Sequence, residues 1–526
     1  MRFTTRKEAS TMAMRKKSAV QAVKSESNAF GPSSGEQEKA NQSPQEKPSP
    51  RPGAPKLGSY LTSLGAYGFH DLEPVLLAAL VTEDPILLIG KSGTGKTFLL
   101  NSISEALGLE HRHYNASLVS FDDLVGFPYP DDARESVRFL ETPATIWSAE
   151  SVLVDEISRC KPEHQNRFFS LVHERRVQGM ALEKLRYRWA AMNPSSPDQG
   201  GSEAYVGSEP LDPALADRFA VVLEVGDWGE LSHEDRARVA DPSGEGARAD
   251  DGGQLVRQLA IWRAEFLRQL PGTPESLRNY ACSAVTTLGE AGIRLSPRRA
   301  RLLARTLLAI TIVCGKSSER VFCRVLDWSI PHRAWGEKPS LDIVKVAHRQ
   351  AWGAYMAEGD EAWVHLFHNE PRLDQKVRLL LESCPSHDTG TLAVEQLLAN
   401  ASPPRAAAFA FAVYPAAVER KLCLGAESVN DLGRVASELL TIDGQITWQE
   451  RRSESKTQPP DLVLVGELLA KLSGSRLARA RQLFYWCLIN KHLVSHPRDF
   501  EAEFNRCVET IRKALGEDKA AGRASA

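Results

Sequence analysis

Residues 90–97 match the pattern G-x-x-x-x-G-K-[ST] at every fixed position. An apolar run at 85–89 precedes this motif, and a helical pattern at 98–107 follows it. Glycines allow backbone amides to turn inward around a phosphate group, where the N-terminus of the helix adds positive potential. The motif therefore predicts a site for the phosphates of a nucleotide. Its predicted contacts are Gly90, Gly93, Thr94, Gly95, Lys96 and Thr97.

A second group of candidate residues ends the apolar run at 151–156, where Asp155 and Glu156 follow a predicted strand. We expect Thr97 and Asp155 to hold Mg²⁺, because hydroxyl and carboxylate oxygens suit this ion. Glu156 would polarise the attacking water as a general base. An Asp-Glu pair can also begin a capped helix, but its position after the phosphate motif favours a nucleotide site.

Short apolar runs alternate with helical patterns after residue 57, which is typical of a parallel sheet with crossover helices. Further strands are predicted at 188–192 and 220–225. The predicted fold class is α/β, with a helical lid and a further, mainly α domain. The predicted parts are a disordered tail at 1–56, an α/β domain at 57–225, a lid at 226–340 and a C-terminal domain at 341–526.

The C-terminal domain is expected to end in an amphipathic helix that stops at Gly516. A small hairpin is predicted at 441–446, and loops are predicted at 241–253 and 451–460. Apolar residues recur at helical spacing before the stop, at Phe500, Phe504, Val508, Ile511 and Leu515.

The composition argues against several classes of protein. Lys and Arg total 65 and Asp and Glu total 67, so extensive nucleic-acid binding is not expected. The longest nearly apolar run, 406–418, is interrupted by Pro415 and is too short to span a membrane. No apolar signal segment follows the basic start, and no cysteines form a C-x-x-C pair. We therefore expect a cytoplasmic protein with reduced thiols and no membrane insertion.

The chain resembles the AAA+ ATPases, and within them the MoxR family of the helix-2-insert group, over about 65–333. The resemblance rests on the phosphate motif and on six further stretches that occur in the family's order. They are 154–159 (VDEISR), 173–177 (HERRV), 191–194 (AMNP), 211–219 (LDPALADRF), 292–298 (GIRLSPR) and 330–333 (IPHR). The phosphate motif lacks the family's usual proline, and Ser158 stands where the family has asparagine.

This resemblance implies roles for three further residues. Asn193 would be sensor 1, which contacts the attacking water or the γ-phosphate. Arg218 would be the arginine finger that enters a neighbouring subunit's site, and Arg298 would be the sensor 2 arginine. An alternative for Arg298 is a solvated basic helix face. The stretch 122–142 lies where the group inserts a hairpin that projects toward the ring pore or a partner, although a packed surface hairpin remains an alternative.

The resemblance implies a ring-forming ATPase, most commonly a hexamer, that uses ATP and Mg²⁺ to remodel or activate a partner protein in a chaperone-like way. MoxR-type ATPases commonly act with proteins that carry a von Willebrand factor A domain, so such a client is expected. Two alternatives are a nucleic-acid-processing AAA+ motor, which the near-neutral charge disfavours, and a nucleotide-gated scaffold without turnover.

Overall fold

The computed structural model describes residues 59–130, 137–195, 207–244, 251–440 and 460–516. The predicted disordered tail at 1–56 and the predicted hairpin at 441–446 lie outside these residues. The predicted loop at 451–460 also lies outside them, except for its last residue, which begins a helix.

A five-stranded parallel sheet forms the centre of the N-terminal half. The four strands predicted from apolar runs are all present. The sheet also contains a strand that the apolar pattern did not predict, at His111–Asn115. The strands of the chain are β1 Ile86–Ile89, β2 His111–Asn115, β3 Pro128–Pro130, β4 Val137–Phe139, β5 Ser151–Asp155, β6 Arg176–Val177, β7 Met180–Ala181, β8 Tyr187–Met192 and β9 Val221–Glu224.

The order across the sheet is β2-β5-β8-β1-β9. Alternate side chains of the interior strand β1, which lies between β8 and β9, enter different cores: Ile86 and Leu88 face one side, and Leu87 and Ile89 face the other. Helices therefore cover both faces, which explains why this strand is a continuous apolar run. The helices of this part are α1 Tyr60–Ser63, α2 Glu73–Thr82, α3 Lys96–Ala106, α4 Phe121–Val125, α5 Pro162–Glu174 and α6 Pro213–Ala216, with a 3-10 turn at Ile157–Arg159.

A helical lid follows the last strand, as the fold class predicted. Asp241–Gly253 was expected to be a loop; its described ends contain a short 3-10 turn. The lid comprises α7 His233–Val239, α8 Gln254–Gln269, α9 Glu275–Glu290, α10 Pro297–Cys314 and α11 Glu319–Trp328, with 3-10 turns at Trp228–Glu230, Pro242–Gly244, Leu270–Gly272 and Pro331–Trp335. The fold class is therefore the predicted one, a parallel α/β sheet followed by a helical lid.

The C-terminal region is helical and has its own hydrophobic core. The predicted terminal helix is present and ends at Gly516, whose φ of 78° allows the chain to leave the helix. The helices after residue 340 are α12 Leu341–Met356, which precedes this core, and α13 Gly359–Asn369, α14 Leu373–Glu382, α15 His387–Asn400, α16 Pro403–Val418, α17 Ala426–Leu440, α18 Pro460–Leu469, α19 Gly474–Ile489 and α20 Pro497–Leu515.

Helix α12 belongs to the lid by its packing. Its residues Val344, Ala347 and Ala351 are buried in the core shared by the sheet and the lid, whereas the C-terminal core begins at Trp363. Judged by this packing, the boundary between the lid and the C-terminal domain lies after α12, one helix later than the boundary expected at 340. The apolar pattern could not show this, because α12 looks like any other amphipathic helix.

Truncation tests this assignment. A chain that ends at Met356 should keep a stable lid, whereas a chain that ends at residue 340 should lose about 3 kcal/mol or more of lid stability, since it no longer buries the apolar side chains of α12. Denaturant unfolding of the two truncated proteins measures the difference. Equal stability would contradict the placement of α12.

The predicted insert is an antiparallel hairpin of β3 and β4. Helix α4 stops before it because Gly126 has a φ of 86°, and a Cβ there would lie 2.0 Å from the carbonyl oxygen of Leu140. Only glycine fits such a close approach in this conformation. In the described part of the chain, no helix is both long and apolar enough to cross a membrane. All eight cysteines are free thiols.

Candidate nucleotide site

The phosphate motif forms a loop between β1 and α3. Gly93 and Gly95 both have φ of 80°, a left-handed conformation that residues with a Cβ rarely adopt. The Thr94 hydroxyl donates to the Lys91 carbonyl at 2.9 Å, which closes the turn. The loop therefore has the backbone shape that allows its amides to surround an anion.

Lys96 points its amino group back into this loop. Its Nζ donates to the carbonyls of Gly90 and Lys91, each at 2.7 Å, and lies 3.5 Å from Oδ1 of Asn193. The side chain is only 7% exposed. Burial lowers the pKa of Lys96, while the nearby carboxylates of Asp155 and Glu156 oppose that shift. The loop thus holds a desolvated ammonium group. Phosphate oxygens that enter the loop can replace the two carbonyls as its hydrogen-bond acceptors.

Asp155 ends β5 directly opposite the start of α3. Its Oδ2 accepts a hydrogen bond from the Thr97 hydroxyl at 2.8 Å and lies 3.3 Å from Nε2 of His113. Burial would raise the pKa of Asp155, but its hydrogen bonds with His113, Thr97 and the Glu156 amide lower it. A charged carboxylate beside a hydroxyl is a donor set that fits Mg²⁺.

Glu156 begins the turn after β5 and has an unusual backbone. Its φ of 54° is left-handed, which costs a non-glycine residue about 1 kcal/mol. Its carboxylate accepts from the Asn115 side-chain amide at 3.2 Å and lies 3.7 Å from Nε of Arg159. The surrounding fold therefore holds this carboxylate in a defined place at the edge of the site.

Asn193 follows β8 and is 8% exposed. Its carbonyl accepts from the Ser208 hydroxyl at 3.2 Å, and the Ser158 hydroxyl lies 2.9 Å from the same Ser208 oxygen. These contacts link the turn after β8 to the turn after β5. Ser158, which departs from the family pattern, thus takes part in holding the two turns together.

These side chains meet at the carboxyl edge of the sheet. A cavity of about 310 Å³ is lined by Ser92, Gly93, Gly95, Lys96, Thr97, Phe98, Asp155, Glu156, Met192 and Asn193. Beside it lies a larger cleft of about 1460 Å³, lined by parts of the phosphate loop, the lid and the segment before α2. Thr94 lines the larger cleft, and Gly90 contributes its carbonyl to Lys96. Together they offer space for phosphates and for a nucleoside.

Arg218 and Arg298 lie together, but neither is among the described residues that line these two cavities. Arg298 donates to Asp217 at 2.7 Å, and Asp217 also accepts from the Ser296 hydroxyl. The Arg218 guanidinium stacks on Phe169 at 4.5 Å and donates to the Ala214 carbonyl. Partial burial and the charge of Arg298 lower the pKa of Arg218. The two guanidinium groups are therefore close neighbours.

Arg299, the next residue on α10, has a different task. It is 1% exposed and donates to the carbonyls of Phe219, Ala220 and Ser329. Burial lowers its pKa to about 10. Arg299 thus joins the lid to the start of β9, which leaves Arg298 as the more accessible of the two arginines.

His113 and Asn115 are site residues that the sequence analysis missed. Both lie on β2, which pairs with β5 so that Asn115 stands opposite Asp155. The sequence of β2, His-Arg-His-Tyr-Asn, lacks the apolar run that marked the other strands. A short polar segment between α3 and the insert was the only available signal, and it does not distinguish an edge strand from a loop.

This parallel sheet, with its phosphate loop and two carboxylates, defines the class of P-loop nucleotide-binding proteins. Residues 85–219 match the family model of the AAA domain of the dynein-related subfamily. This part of the chain is therefore similar to an AAA domain, and the place of the protein in the MoxR group stays a prediction.

Two further comparisons give partial similarity. The uncharacterized protein YeaC of Bacillus subtilis is 27% identical over 165 residues, which cover 30% of this chain and 48% of that protein. The chain thus spans about half the length of this curated relative. A crystal structure of a candidate ATPase from Cytophaga hutchinsonii aligns with 55% of this chain and 91% of that one, at 17% identity. Its TM-score of 0.41 is too low to bear on fold or function.

Proposed function

We propose that this chain is a MoxR-like AAA+ ATPase that hydrolyses ATP with Mg²⁺ and works as a ring, most simply a hexamer, on a partner protein. One observation carries the proposal. Lys96, Thr97, Asp155, Glu156 and Asn193 line one cavity at the edge of the sheet, so phosphate, metal and water ligands converge there. The AAA domain match supports the same reading.

Each side chain has a distinct task in this mechanism. Lys96 gives up its contacts with the loop carbonyls and binds phosphate oxygens. Thr97 and Asp155 would hold Mg²⁺, which neutralises charge on the phosphoryl oxygens when bound. Glu156 takes a proton from the attacking water, and Asn193 orients that water or the γ-phosphate. Asn115, which holds Glu156 at 3.2 Å, must release or adjust this contact as water enters.

The position of Arg218 supports action between subunits. The guanidinium lies on the side of Phe169 and Asp217, outside the chain's own phosphate cavity. A planar guanidinium stabilises the charge that develops in phosphoryl transfer. We propose that a ring brings Arg218 into the neighbouring subunit's site, with Arg298 beside it. The 3-10 turn Pro331–Trp335 supports this segment, because the Leu211 amide donates to the Ala334 carbonyl at 3.0 Å.

Mixing two inactive variants tests this arrangement. Arg218→Ala should retain ATP binding and lose turnover by about 10³-fold or more, the scale for an arginine finger. Lys96→Ala should be inactive because it cannot bind ATP. In mixed rings, an intact phosphate loop from one variant meets an intact Arg218 from the other, so activity should partly return. Absence of any recovery, although light scattering shows mixed rings, would contradict action between subunits.

The partner is proposed to bind away from the nucleotide. The insert exposes three large apolar side chains, Phe127, Tyr129 and Leu140, by 64%, 44% and 53%, and a group of exposed apolar side chains on one element favours a binding surface. The C-terminal region has a separate core, and we expect ATP hydrolysis not to need it, because all the residues that line the nucleotide cavity precede this region. We propose that these two parts recognise the client, a protein with a von Willebrand factor A domain. Loss of client pull-down with full ATP turnover, after removal of residues beyond Met356, would support this role.

A further inference from the structure

The edge strand β2 places polar side chains beside the nucleotide site without lining its cavities. His111, His113 and Asn115 lie on one face of the sheet, because side chains two residues apart in a strand point to the same side. β2 pairs in parallel with β5, so that Asn115 stands opposite Asp155. None of the three β2 side chains is among the described residues that line the two nucleotide cavities. They therefore reach the site from the edge of the sheet.

His111 fixes the position of this strand. Its Nδ1 lies 2.8 Å from the Ser151 hydroxyl on β5, and its Nε2 lies 3.1 Å from Oδ1 of Asn101 on α3. Burial lowers the pKa of His111 to about 4, so the ring is neutral and offers one donor and one acceptor. Strand β2 is thus attached both to the neighbouring strand and to the helix that follows the phosphate loop.

His113 faces the carboxylate that ends β5. Its Nε2 lies 3.3 Å from Oδ2 of Asp155, and the His113 side chain is 38% exposed. A charged carboxylate can only accept hydrogen bonds, so Nε2 carries a hydrogen and donates it to Oδ2. Nε2 is the donor whether or not Nδ1 also carries a hydrogen.

Among the described residues, three donors hold Asp155, and His113 differs from the other two. Oδ2 also accepts from the Thr97 hydroxyl at 2.8 Å, and Oδ1 accepts from the Glu156 amide at 2.8 Å. Contacts to both oxygens fix the plane of the carboxylate. Thr97 and Glu156 line the phosphate cavity, whereas His113 approaches from the edge strand. A metal ion in that cavity would therefore not take the place of His113.

We propose that His113 is a positioning residue of the magnesium site, which donates from Nε2 to Asp155 and so holds this carboxylate in the orientation that binds Mg²⁺ beside Thr97. The inference rests on the proposed function, in which Asp155 holds the metal. Hydrogen bonds to a ligating carboxylate matter for affinity, because their loss typically weakens metal binding by about 10- to 100-fold.

The affinity of the full chain for ADP, measured by calorimetry with Mg²⁺ and again with a chelator, tests this role. The ratio of the two affinities reports how tightly the metal binds beside the nucleotide, and no turnover is needed. His113→Phe keeps a planar ring but removes the donor, so it should lower this ratio by about tenfold. His113→Gln offers an amide N–H at a similar distance from the backbone and should restore most of the ratio.

Affinity for ADP without metal should be the same in the parent and both variants, because the phosphate loop is unchanged. His233→Phe is the control, since His233 is exposed on α7 and lines neither cavity. An unchanged ratio in His113→Phe, or an equal fall in His113→Phe and His113→Gln, would overturn the role of the Nε2 donor. If the parent itself failed to bind ADP, the proposed function would be wrong, so the two failures are distinguishable.

Discussion

Replacement of Lys96 by alanine should abolish ATP binding. Among the described residues, the buried Lys96 ammonium is bonded to the neutral oxygens of Gly90, Lys91 and Asn193, so it offers a full, poorly solvated charge to incoming phosphates. An alanine leaves those phosphates beside Asp155 and Glu156 without compensation. We expect an affinity loss of at least about 10²-fold, on the scale of 3 kcal/mol for a charged contact.

Calorimetry with ATP and Mg²⁺ measures this loss. Lys316→Ala is a matched control, because Lys316 is an exposed lysine in the turn before α11 and should not affect binding. Equal ATP affinity in Lys96→Ala and the parent would show that the phosphates bind elsewhere.

The second large effect is expected for Glu156→Gln, which should bind ATP and turn it over about 10²–10⁴ times more slowly, the range for a positioned general base. Glutamine keeps the shape of the side chain and can still contact Asn115, but it cannot accept a proton at neutral pH. The left-handed backbone at this residue suggests that the position is held for its chemistry, because a strained residue persists where the surrounding structure enforces it.

Single-turnover phosphate release, with ATP binding measured in parallel, separates chemistry from affinity. Glu150→Gln is the control, since Glu150 lies before the opposite end of β5 and accepts from the Glu110 amide, far from the phosphate loop. Unchanged phosphate release by Glu156→Gln would exclude Glu156 as the base.

The sequence predicted those parts of the fold that depend on strong local patterns. Buried parallel strands such as β1 must be apolar on both faces, so their runs were visible, and the phosphate loop needs glycines at fixed spacing. β2 was not predicted because it lies at the edge of the sheet and carries polar side chains of the site, including His113 and Asn115. An edge strand that supplies polar side chains to a site has fewer apolar residues, so it lacks the apolar run by which a strand is predicted.

The roles of neighbouring arginines and the domain to which a helix belongs depend on tertiary contacts, which local sequence patterns do not show. The motif at 292–298 predicted a role for Arg298, but only the fold shows that the neighbouring Arg299 is buried against backbone carbonyls while Arg298 faces Asp217. Likewise, α12 has an ordinary helical pattern, and its membership of the lid rests on contacts with α9 that are distant in sequence, such as that between Tyr280 and His348.

The central proposal is that the chain hydrolyses ATP in a ring in which each site is completed by the neighbouring subunit's Arg218. The most direct measurement is the rate of phosphate release per subunit, with Mg²⁺ present, as a function of protein concentration. We predict that this specific rate rises steeply over the concentration range in which light scattering detects assembly and then reaches a plateau. A specific rate that stays constant down to concentrations where only monomers exist, or no phosphate release from a fully assembled ring, would contradict the proposal.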